Sequence, residues 1–544
     1  MRAHPLYVVL LATALFATAC VSATDRSQDG LRTLLGPGLK HTDPAWDTLM
    51  NGSTLQAREA LSGDGADETP EGRAWRALGR CEADHLLGHY GDALTACVKA
   101  VEAAPARPVA QWALLRLYML SSFSSDFVSD VEPALQAIRR ADTTEKGVQS
   151  SVLTRYLAAR ISMMRAFDAW YRSSTEKPFK ADQEGVPTIW SIVGPASLYG
   201  NLDLDKATPP ESDDALADSY TLLGFERRTQ HEQTNGLRAN PSLGLSGLYL
   251  AETWVTVDRG GRFDLAAEIQ GSAIVFVDGQ QVLTKDARRA FGTNELVARD
   301  LELTPGVHRI RVRLAYERGY RTAFGVMLLP RDPNTRMAFS HSKPEGKRGR
   351  VESTGEMAPW IGEEIELERL GDDRMRLYLA AWMAGAFTEE QVARDALSRL
   401  EALAPDFPGT WLVRSNLMTN LWSLPSSVRS RETLKALRRA VEADPKAAHA
   451  LLGLVQELRQ QGLKDDAAEA IAKLLELNPE EASTWAEAAR YYRWRGFANQ
   501  AEEALVRATE LDQDNCSVIQ DLDETYRSRN FAPARENLPE AWFT

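Results

Sequence analysis

Apolar positions recur every 34 residues near the end of the chain, where Pro445, Pro479 and Gln513 mark the period. The first copy has Leu451, Leu454, Leu458, Gly462, Ala467, Ile471 and Leu474; the second has Trp485, Ala488, Tyr492, Gly496, Ala501, Leu505 and Ala508; a third begins with Ile519, Leu522 and Tyr526. A fixed period of this size indicates stacked supersecondary units. The glycine in mid-unit is predicted to end one helix, and the proline or its substitute to end the second.

This pattern over 445–531 resembles the tetratricopeptide repeat, position by position, with small residues at Ala467 and Ala501 where two helices must approach closely. The resemblance implies an array of antiparallel helices that holds other molecules. Residues 364–544 are therefore predicted to form a repeat array. A weaker copy from Gly88 to Pro105 predicts a second helical, tetratricopeptide-like block over 71–175.

Helical spacing gives way to alternation in the middle of the chain. Phe263, Leu265 and Ala267 are apolar at every second position, and Arg309, Arg311 and Arg313 alternate with apolar residues. Alternation of this kind predicts half-buried strands with one face in water. We therefore expect an antiparallel β-sandwich over 186–335, followed by a linker over 336–363.

The fold class predicted from these patterns is a multidomain α and β protein, with α-helical tetratricopeptide-type repeat blocks flanking an antiparallel β-sandwich. Residues 245–330 also resemble the protective-antigen-type sandwich of toxins, adhesins and glycosidases. The residues that carry this resemblance are the strand into Val277-Asp278-Gly279, the turn Thr304-Pro305-Gly306 and the strand Val307 to Tyr316.

The first residues have the pattern of an export signal. A basic Arg2 precedes an apolar run from Leu6 to Phe16, which is too short to cross a bilayer. Residues 1–19 are therefore predicted to be a signal peptide. Small residues before Cys20 resemble a bacterial lipobox, which implies lipidation of Cys20 and an outer-membrane lipoprotein facing the periplasm. The alternatives are plain secretion and display on the cell surface. The residues that follow are rich in Ser, Thr, Asp and Gly and predict a tether over 20–70, with short helices near Ala45 to Met50 and near Leu55 to Leu61.

Net charge and the motifs of the chain narrow the range of functions that the sequence predicts. A net charge of −13 over 544 residues disfavours nucleic acid as a partner, because nothing neutralises phosphate overall. No nucleophile, metal-hydrolase or phosphate-binding motif is present, so we expect no enzyme and no cofactor. Cys81, Asp84, His85 and His89 lie along one predicted helix, and a part-exposed helix face is a better interpretation than a metal site.

Cys81 and Cys97 stand on either side of the break at Gly88. Two antiparallel helices would place them at nearly equal heights. The sequence leaves two interpretations open, a disulfide in an exported protein and two small buried residues in a tight helix seam.

The repeat also carries a candidate binding surface. Arg459, Arg493 and Arg527 recur at the 34-residue period, with Gln456, Arg490 and Trp494 beside them. We call Arg459, Arg493 and Arg527 the arginine ladder. Arginine forks bind carboxylates at two points, so an acidic segment or a chain terminus of a protein partner is the predicted ligand. The alternative is that these arginines neutralise Glu457, Glu487 or Glu524 on neighbouring turns.

Two functional hypotheses follow from the sequence. The first is a non-catalytic, membrane-tethered scaffold or adaptor of a bacterial cell envelope that binds protein partners through the repeat groove. The second is a carbohydrate- or peptidoglycan-binding protein that acts through the β-sandwich, for which Asp213 and Asp214 are the nearest candidate for a calcium pair.

Overall fold

The structure is a computed structural model of the chain. It describes residues 44–528 except for 64–68, 121–122, 124–129, 145–153, 156, 163–184, 234–244, 270, 287–294, 317–323, 333, 360–370, 387–389, 422–423 and 514. The predicted signal peptide, Cys20 and the first part of the predicted tether lie outside the described residues.

The N-terminal block consists of helices packed in antiparallel pairs. They are α1 (Pro44–Met50), α2 (Thr54–Ala60), α3 (Pro70–Leu87), α4 (Tyr90–Ala103), α5 (Pro108–Leu120) and α6 (Glu132–Thr144). Helix α3 begins where the Thr69 side chain accepts a hydrogen bond from the Gly72 amide. It ends at Gly88, whose φ of 79° is a left-handed conformation that glycine adopts without strain.

A disulfide between Cys81 and Cys97 joins α3 to α4. Their Cα atoms are 5.3 Å apart, a separation that a disulfide can span. Of the two interpretations that the sequence left open, the structure has the covalent one. The bridge also lies in the buried seam between the helices, since both residues are fully buried.

The later part of the predicted tether, where the sequence predicts two short helices, packs into the helical core. Residues 44–60 form α1 and α2, and Trp46 and Leu49 are fully buried. Trp46 Nε1 donates a hydrogen bond of 3.1 Å to the Trp75 carbonyl. Burying a tryptophan removes a large apolar area from water, so this segment is part of the helical core.

The β-sandwich is built from two antiparallel sheets and a separate hairpin. Its strands are β1 (Ile189–Ser197), β2 (Ser219–Leu222), β3 (Phe225–Arg228), β4 (Gln230–Gln233), β5 (Gly247–Val257), β6 (Gly261–Ile269), β7 (Ser272–Val277), β8 (Gln280–Lys285), β9 (Glu295–Leu303), β10 (Gly306–Tyr316), β11 (Phe324–Pro330), β12 (Met337–Ser340), β13 (Val351–Ser353) and β14 (Glu356–Pro359). One sheet has the order β4-β1-β5-β10-β7-β8 with β12 on β5, and the other has β11-β6-β9-β13 with β14 on β9. Strands β2 and β3 form the hairpin.

The predicted linker over 336–363 supplies strands to both sheets. Strand β12 pairs with β5, whereas β13 and β14 pair with β9. These strands are only three or four residues long, so their period gives almost no signal. The sandwich therefore extends to residue 359.

The arginine face of β10 is not in water, contrary to the sequence prediction. Arg311 and Arg313 are almost fully buried. Arg313 forms an ion pair with Glu211, and Arg311 donates hydrogen bonds to the carbonyls of Glu211 and Asp213. The segment that follows β1 thus covers this face and neutralises it.

The C-terminal block continues the helical pattern with α7 (Arg374–Ala386), α8 (Glu390–Leu403), α9 (Pro408–Asn420), α10 (Ser426–Ala443), α11 (Ala448–Gln460), α12 (Lys464–Leu477), α13 (Ala482–Arg495), α14 (Ala498–Leu511) and α15 (Cys516–Ser528). Gly462 and Gly496, which follow the ends of α11 and α13, have φ near 80°. Ala467 and Ala501 are buried where the helices of a unit meet. Within the described residues, no helix combines the length and apolarity required to cross a membrane.

The two helical blocks share one hydrophobic core, which runs from Ala45 to Tyr526. This core also includes Ala266, Met327 and Leu329 from the outer face of the smaller sheet. Arg155, which follows α6, pairs with Asp264 of β6 at 2.5 Å. The sandwich is therefore inserted in sequence between two halves of one helical assembly and packs on its side.

A second set of contacts joins the corner between α3 and α4 to the turn between α12 and α13. Asn478 Nδ2 donates a hydrogen bond of 2.8 Å to the Leu87 carbonyl. A Cβ at Gly88 would lie 2.3 Å from that amide nitrogen, so close approach as well as backbone conformation requires glycine here. Burial raises the pKa of Glu481 to about 7, with Asp92 of the other block and Asp512 adding to the effect.

This carboxyl group generates a prediction on stability against pH. Because its pKa is 4.5 without these neighbours and about 7 when folded, the unfolded chain loses the proton first as pH rises. The contribution of Glu481 to the free energy of unfolding is therefore fully present below pH 4.5 and is lost as pH rises through 7. We expect Glu481→Gln to increase the free energy of unfolding at pH 8 by about 2 kcal/mol, after allowance for partial exposure.

The measurement is denaturant unfolding at several pH values between 5 and 8. Glu480→Gln is the matched control, because Glu480 is an exposed neighbour whose side chain is 78% accessible. A pH slope that is the same in wild type and in Glu481→Gln would contradict the prediction.

Candidate functional site

An open cleft of about 330 Å³ lies where the two helical blocks meet. Its lining includes His85 of α3, Arg116 of α5 and Phe123 from the N-terminal block, with Tyr378 and Trp382 of α7 from the C-terminal block. Further lining residues come from α9, α10 and α11, and they are Leu412, Val413, Ser415, Asn416, Thr419, Thr433, Leu437, His449, Leu452, Gly453, Gln456, Glu457 and Gln460. Neither block forms this cleft alone.

Three rings that line the cleft, those of His85, Phe123 and His449, pack together with Tyr90. His85 and His449 are 4.1 Å apart between ring centroids, and Tyr90 stacks on Phe123 at 4.5 Å. The Tyr90 hydroxyl is 2.9 Å from His449 Nδ1. His85 is only 4% exposed, so the prediction that this face of α3 is part-exposed is wrong. The helix is longer than the repeat period suggests, and its face is covered by a block that lies far later in the chain.

Both histidines are neutral near pH 7. Burial lowers the pKa of His85 well below its usual value, and His449 and Arg116 lower it further. Burial, with Arg116, lowers the pKa of His449 to about 3. Nδ1 of His85 is buried and has no hydrogen-bond partner among the described residues. A buried polar atom without a partner is unusual in proteins, and this one lines an open cleft.

Metal chemistry has no support at these histidines. Across the part of the chain that the structure describes, no group of three or more histidine, cysteine or carboxylate side chains converges on one point. The sulfur of Cys81 is in the disulfide. Asp84 is ion-paired with Arg58 and Arg80, which leaves His85 without a co-ligand from its own helix.

An ion-pair network holds one wall of the cleft in place. Arg116 donates two hydrogen bonds to Glu82, at 2.9 and 2.5 Å, and a third of 3.0 Å to the Tyr378 hydroxyl. The same hydroxyl donates to Glu82 at 2.9 Å. The guanidinium also lies 3.9 Å from the ring centroid of Trp382. With both charges buried and every contact short, this wall is rigid.

The opposite wall is one stripe of helix α11. His449, Gly453, Gln456 and Gln460 follow one another at spacings of three or four residues and therefore share a face. A Cβ at Gly453 would lie 3.1 Å from Leu437 Cδ2, so this glycine lets α10 pack closely against α11. Glu487 and Asp521 lie 34 and 68 residues after Gly453. The next two units therefore have an acid where this first unit has glycine.

The arginine ladder is paired with those acids. Arg459 lies 3.2 Å from Glu487, and Arg493 lies 3.5 Å from Asp521, in each case 28 residues further along the chain. Each arginine therefore joins its unit to the next one. Arg527 has no following unit among the described residues and pairs with Asp523 one turn away.

The residues predicted beside the ladder belong to the same network. Arg490 contacts both Glu487 and Asp521, and Gln456 donates to Glu487 at 3.4 Å. Trp494 packs partly buried against Tyr491. Glu487 is fully buried, and burial raises its pKa although Arg459 and Arg490 oppose this. A carboxylate ligand at the ladder would have to compete with the chain's own acids, and partner binding there stays a prediction.

The candidate calcium pair of the sandwich is bound to basic side chains. Lys343 and Arg348 both contact the Asp214 carboxylate, and hydrogen bonds from Lys343 and then Arg348 lower the pKa of Asp214 to about 2. Asp213 accepts a hydrogen bond of 2.8 Å from the Tyr220 hydroxyl. These oxygens are committed to protein donors, and glycan binding by the sandwich stays a prediction.

One serine–histidine contact occurs in the sandwich. Ser191 Oγ is 3.0 Å from His231 Nδ1 and donates a hydrogen bond of 2.9 Å to the His341 carbonyl. The serine proton is thus directed at a backbone oxygen. A base that activates a nucleophile must accept that proton itself, so this pair does not have the arrangement of an activated nucleophile.

No protein-family model matches the chain, and no curated protein matches it. Among solved structures, the chain is similar to a thermophilic TPR protein of Thermus thermophilus, with 18% identity and a TM-score of 0.26 over 29% of this chain and 84% of that chain. It is also similar to YrrB, a TPR protein with an unusual peptide-binding site, with 17% identity and a TM-score of 0.19 over 28% of this chain and 94% of that chain. A third is the type IV pilus biogenesis factor PilW, with 16% identity and a TM-score of 0.23 over 32% of this chain and 84% of that chain. These scores are low, so the repeat fold rests on the helices of the chain itself.

The ladder generates a prediction on stability. Arg459→Met leaves the buried Glu487 with Arg490 and Gln456 only, so we expect the free energy of unfolding to fall by about 2–3 kcal/mol. Arg527→Met is the matched control, because its side chain is 60% exposed and an exposed pair contributes about 0–1 kcal/mol. Denaturant unfolding of both variants measures the difference. Equal losses would show that the ladder does not join repeats.

Proposed function

We propose that this chain is a non-catalytic, membrane-tethered scaffold or adaptor of a bacterial cell envelope. It binds a protein partner in the cleft between the two helical blocks. The observation that carries the proposal is the cleft itself, which neither block forms alone and which presents the unpartnered Nδ1 of His85 beside apolar side chains. Concave sites with these properties are the usual places where proteins bind other molecules.

The cleft is a better partner site than the ladder. The ladder arginines are neutralised within the chain by Glu487, Asp521 and Asp523, so binding there gains little. In the cleft, by contrast, Gln460 is exposed at the edge. The disulfide and the Arg116–Glu82–Tyr378 network hold the walls in place, which lowers the entropy lost when a partner binds.

The membrane tether rests on the sequence around Cys20. A lipid chain on this residue, followed by the polar residues up to α1, would leave the helical assembly free to meet partners near a membrane surface. Val21 follows the cysteine, and the absence of aspartate at this position favours the outer membrane over the inner one. The chain would then face the periplasm.

The tether generates a prediction on localisation. In fractionated cells the native chain is expected in the outer-membrane fraction, and Cys20→Ala is expected in the soluble envelope fraction because it cannot be lipidated. Mass spectrometry of the mature N-terminus checks the modification directly. A chain that is soluble with Cys20 intact, or that stays membrane-bound after Cys20→Ala, would rule out the lipid anchor.

Partner binding is tested by co-purification from crosslinked envelopes. Gln460→Trp places a large ring at the edge of the cleft, and we expect it to remove at least one partner that the wild-type chain captures. Glu469→Trp is the matched control, because it puts the same ring on an exposed position of α12, away from the cleft. The triple variant Arg459→Ala/Arg493→Ala/Arg527→Ala compares the ladder directly.

Each outcome separates the candidate surfaces. Loss of a partner in Gln460→Trp alone assigns it to the cleft, and loss in the ladder variant alone assigns it to the ladder. If all the variants capture the same proteins as the wild type, neither surface binds a partner. Thermal unfolding of each variant shows whether it is folded.

A further inference from the structure

The carboxylate of Glu457 is the one charge of the cleft that the chain does not neutralise among its described residues. Its side chain is 9% exposed and accepts a hydrogen bond of 2.7 Å from Gln461. None of the described lysine, arginine or histidine side chains lies within ion-pair distance of it. A nearly buried carboxylate is costly without a cation or several hydrogen bonds.

Three other buried carboxylates of the helical blocks are matched by arginine, whereas the buried Asp444 accepts a hydrogen bond from the Lys446 amide. Glu82 is paired with Arg116, and Glu487 with Arg459 and Arg490. Asp84 is contacted by two arginines in the same way. Glu457 has no such arginine either, and it lines an open cleft.

The surrounding groups leave that negative charge uncompensated. His85 and His449 are neutral near pH 7 because burial lowers both pKa values. Arg116 is already bonded to Glu82 and to the Tyr378 hydroxyl. The remaining polar lining consists of neutral amides and hydroxyls, among them Gln456, Gln460 and Asn416. The cleft thus has a net negative charge, and its lining also includes apolar side chains.

We infer that the cleft binds a basic side chain, lysine or arginine, of a partner protein, with Glu457 as its counter-ion. The inference rests on the proposed function and specifies the chemistry that the partner presents. The methylene stem of such a side chain packs on Leu412, Leu437 and Leu452, and its cationic head replaces the water around the carboxylate. Ion pairs of this kind form charge-assisted hydrogen bonds, which are stronger than neutral ones.

The size of the cleft fits one long side chain of a protein. Its volume of about 330 Å³ is at the small end of ligand sites, which span roughly 300–1,000 Å³. A single long side chain with its backbone at the mouth fits this space. Gly453 is among the lining residues, whereas the later units carry Glu487 and Asp521 at the equivalent position.

The test uses the full mature chain and four short capped peptides as probes. They are acetyl-Ala-Lys-Ala-amide, acetyl-Ala-Arg-Ala-amide, acetyl-Ala-norleucine-Ala-amide and acetyl-Ala-Glu-Ala-amide. Ligand-observed saturation-transfer NMR titrations detect weak binding. We expect the two cationic peptides to bind and the uncharged and acidic peptides to bind at least about tenfold more weakly.

Glu457→Gln removes the charge and keeps the size and the hydrogen-bonding capacity of the side chain. We expect it to weaken the binding of the cationic peptides by at least about tenfold. Glu469 is an exposed acid on α12, and we expect Glu469→Gln to leave the affinity of these peptides unchanged. Failure of the cationic peptides to bind, equal binding of the norleucine peptide, or an unchanged affinity in Glu457→Gln would overturn the inference.

The co-purification experiment separates this inference from the proposed function. Loss of the same partner in Gln460→Trp and in Glu457→Gln supports both. Loss in Gln460→Trp with full capture by Glu457→Gln leaves the cleft as the partner site and rejects the basic side chain. Full capture by both variants rejects the cleft as the partner site.

Discussion

Glu82, Arg116 and Tyr378 form a hydrogen-bonded network away from water, and the tyrosine comes from the block on the other side of the sandwich. Removing one member would leave a buried charge or hydroxyl without its partner, which is strongly destabilising. The network therefore sets the spacing between α3, α5 and α7. The core that the two blocks share and the cleft between them both depend on that spacing.

The repeat and the cleft follow from the same chemistry at equivalent positions. Where a unit carries an acid, as at Glu487 and Asp521, the arginine of the preceding unit neutralises it and joins the two units. Where the acid is replaced by Gly453, Leu437 of α10 packs closely against α11, and both residues line the cleft. Stability of a stacked array comes from such neighbour contacts, so the stack stays intact at the unit that borders the cleft.

Predictions from local pattern agree well with the structure. The helix breaks at Gly462 and Gly496, the buried alanines Ala467 and Ala501, and the alternation along β6 and β10 are where the sequence indicates. Predictions that depended on distant neighbours differ from it. Arg311 and Arg313 alternate as a solvent face would, yet a segment 100 residues earlier covers them. His85 lies on a helix face that reads as part-exposed, yet His449 covers it.

The sequence by itself determined the repeat period, the places where helices end, and the sandwich in mid-chain, because these depend on residues close together along the chain. It also contained one signal for the site, the glycine at 453 where later units carry acids. Only the tertiary structure decided that the two helical blocks are one assembly, that the ladder arginines face the chain's own carboxylates, and that Glu457 faces an open cleft. These outcomes depend on contacts between residues hundreds of positions apart, such as Leu87 with Asn478, and a periodic pattern has no information on such pairs.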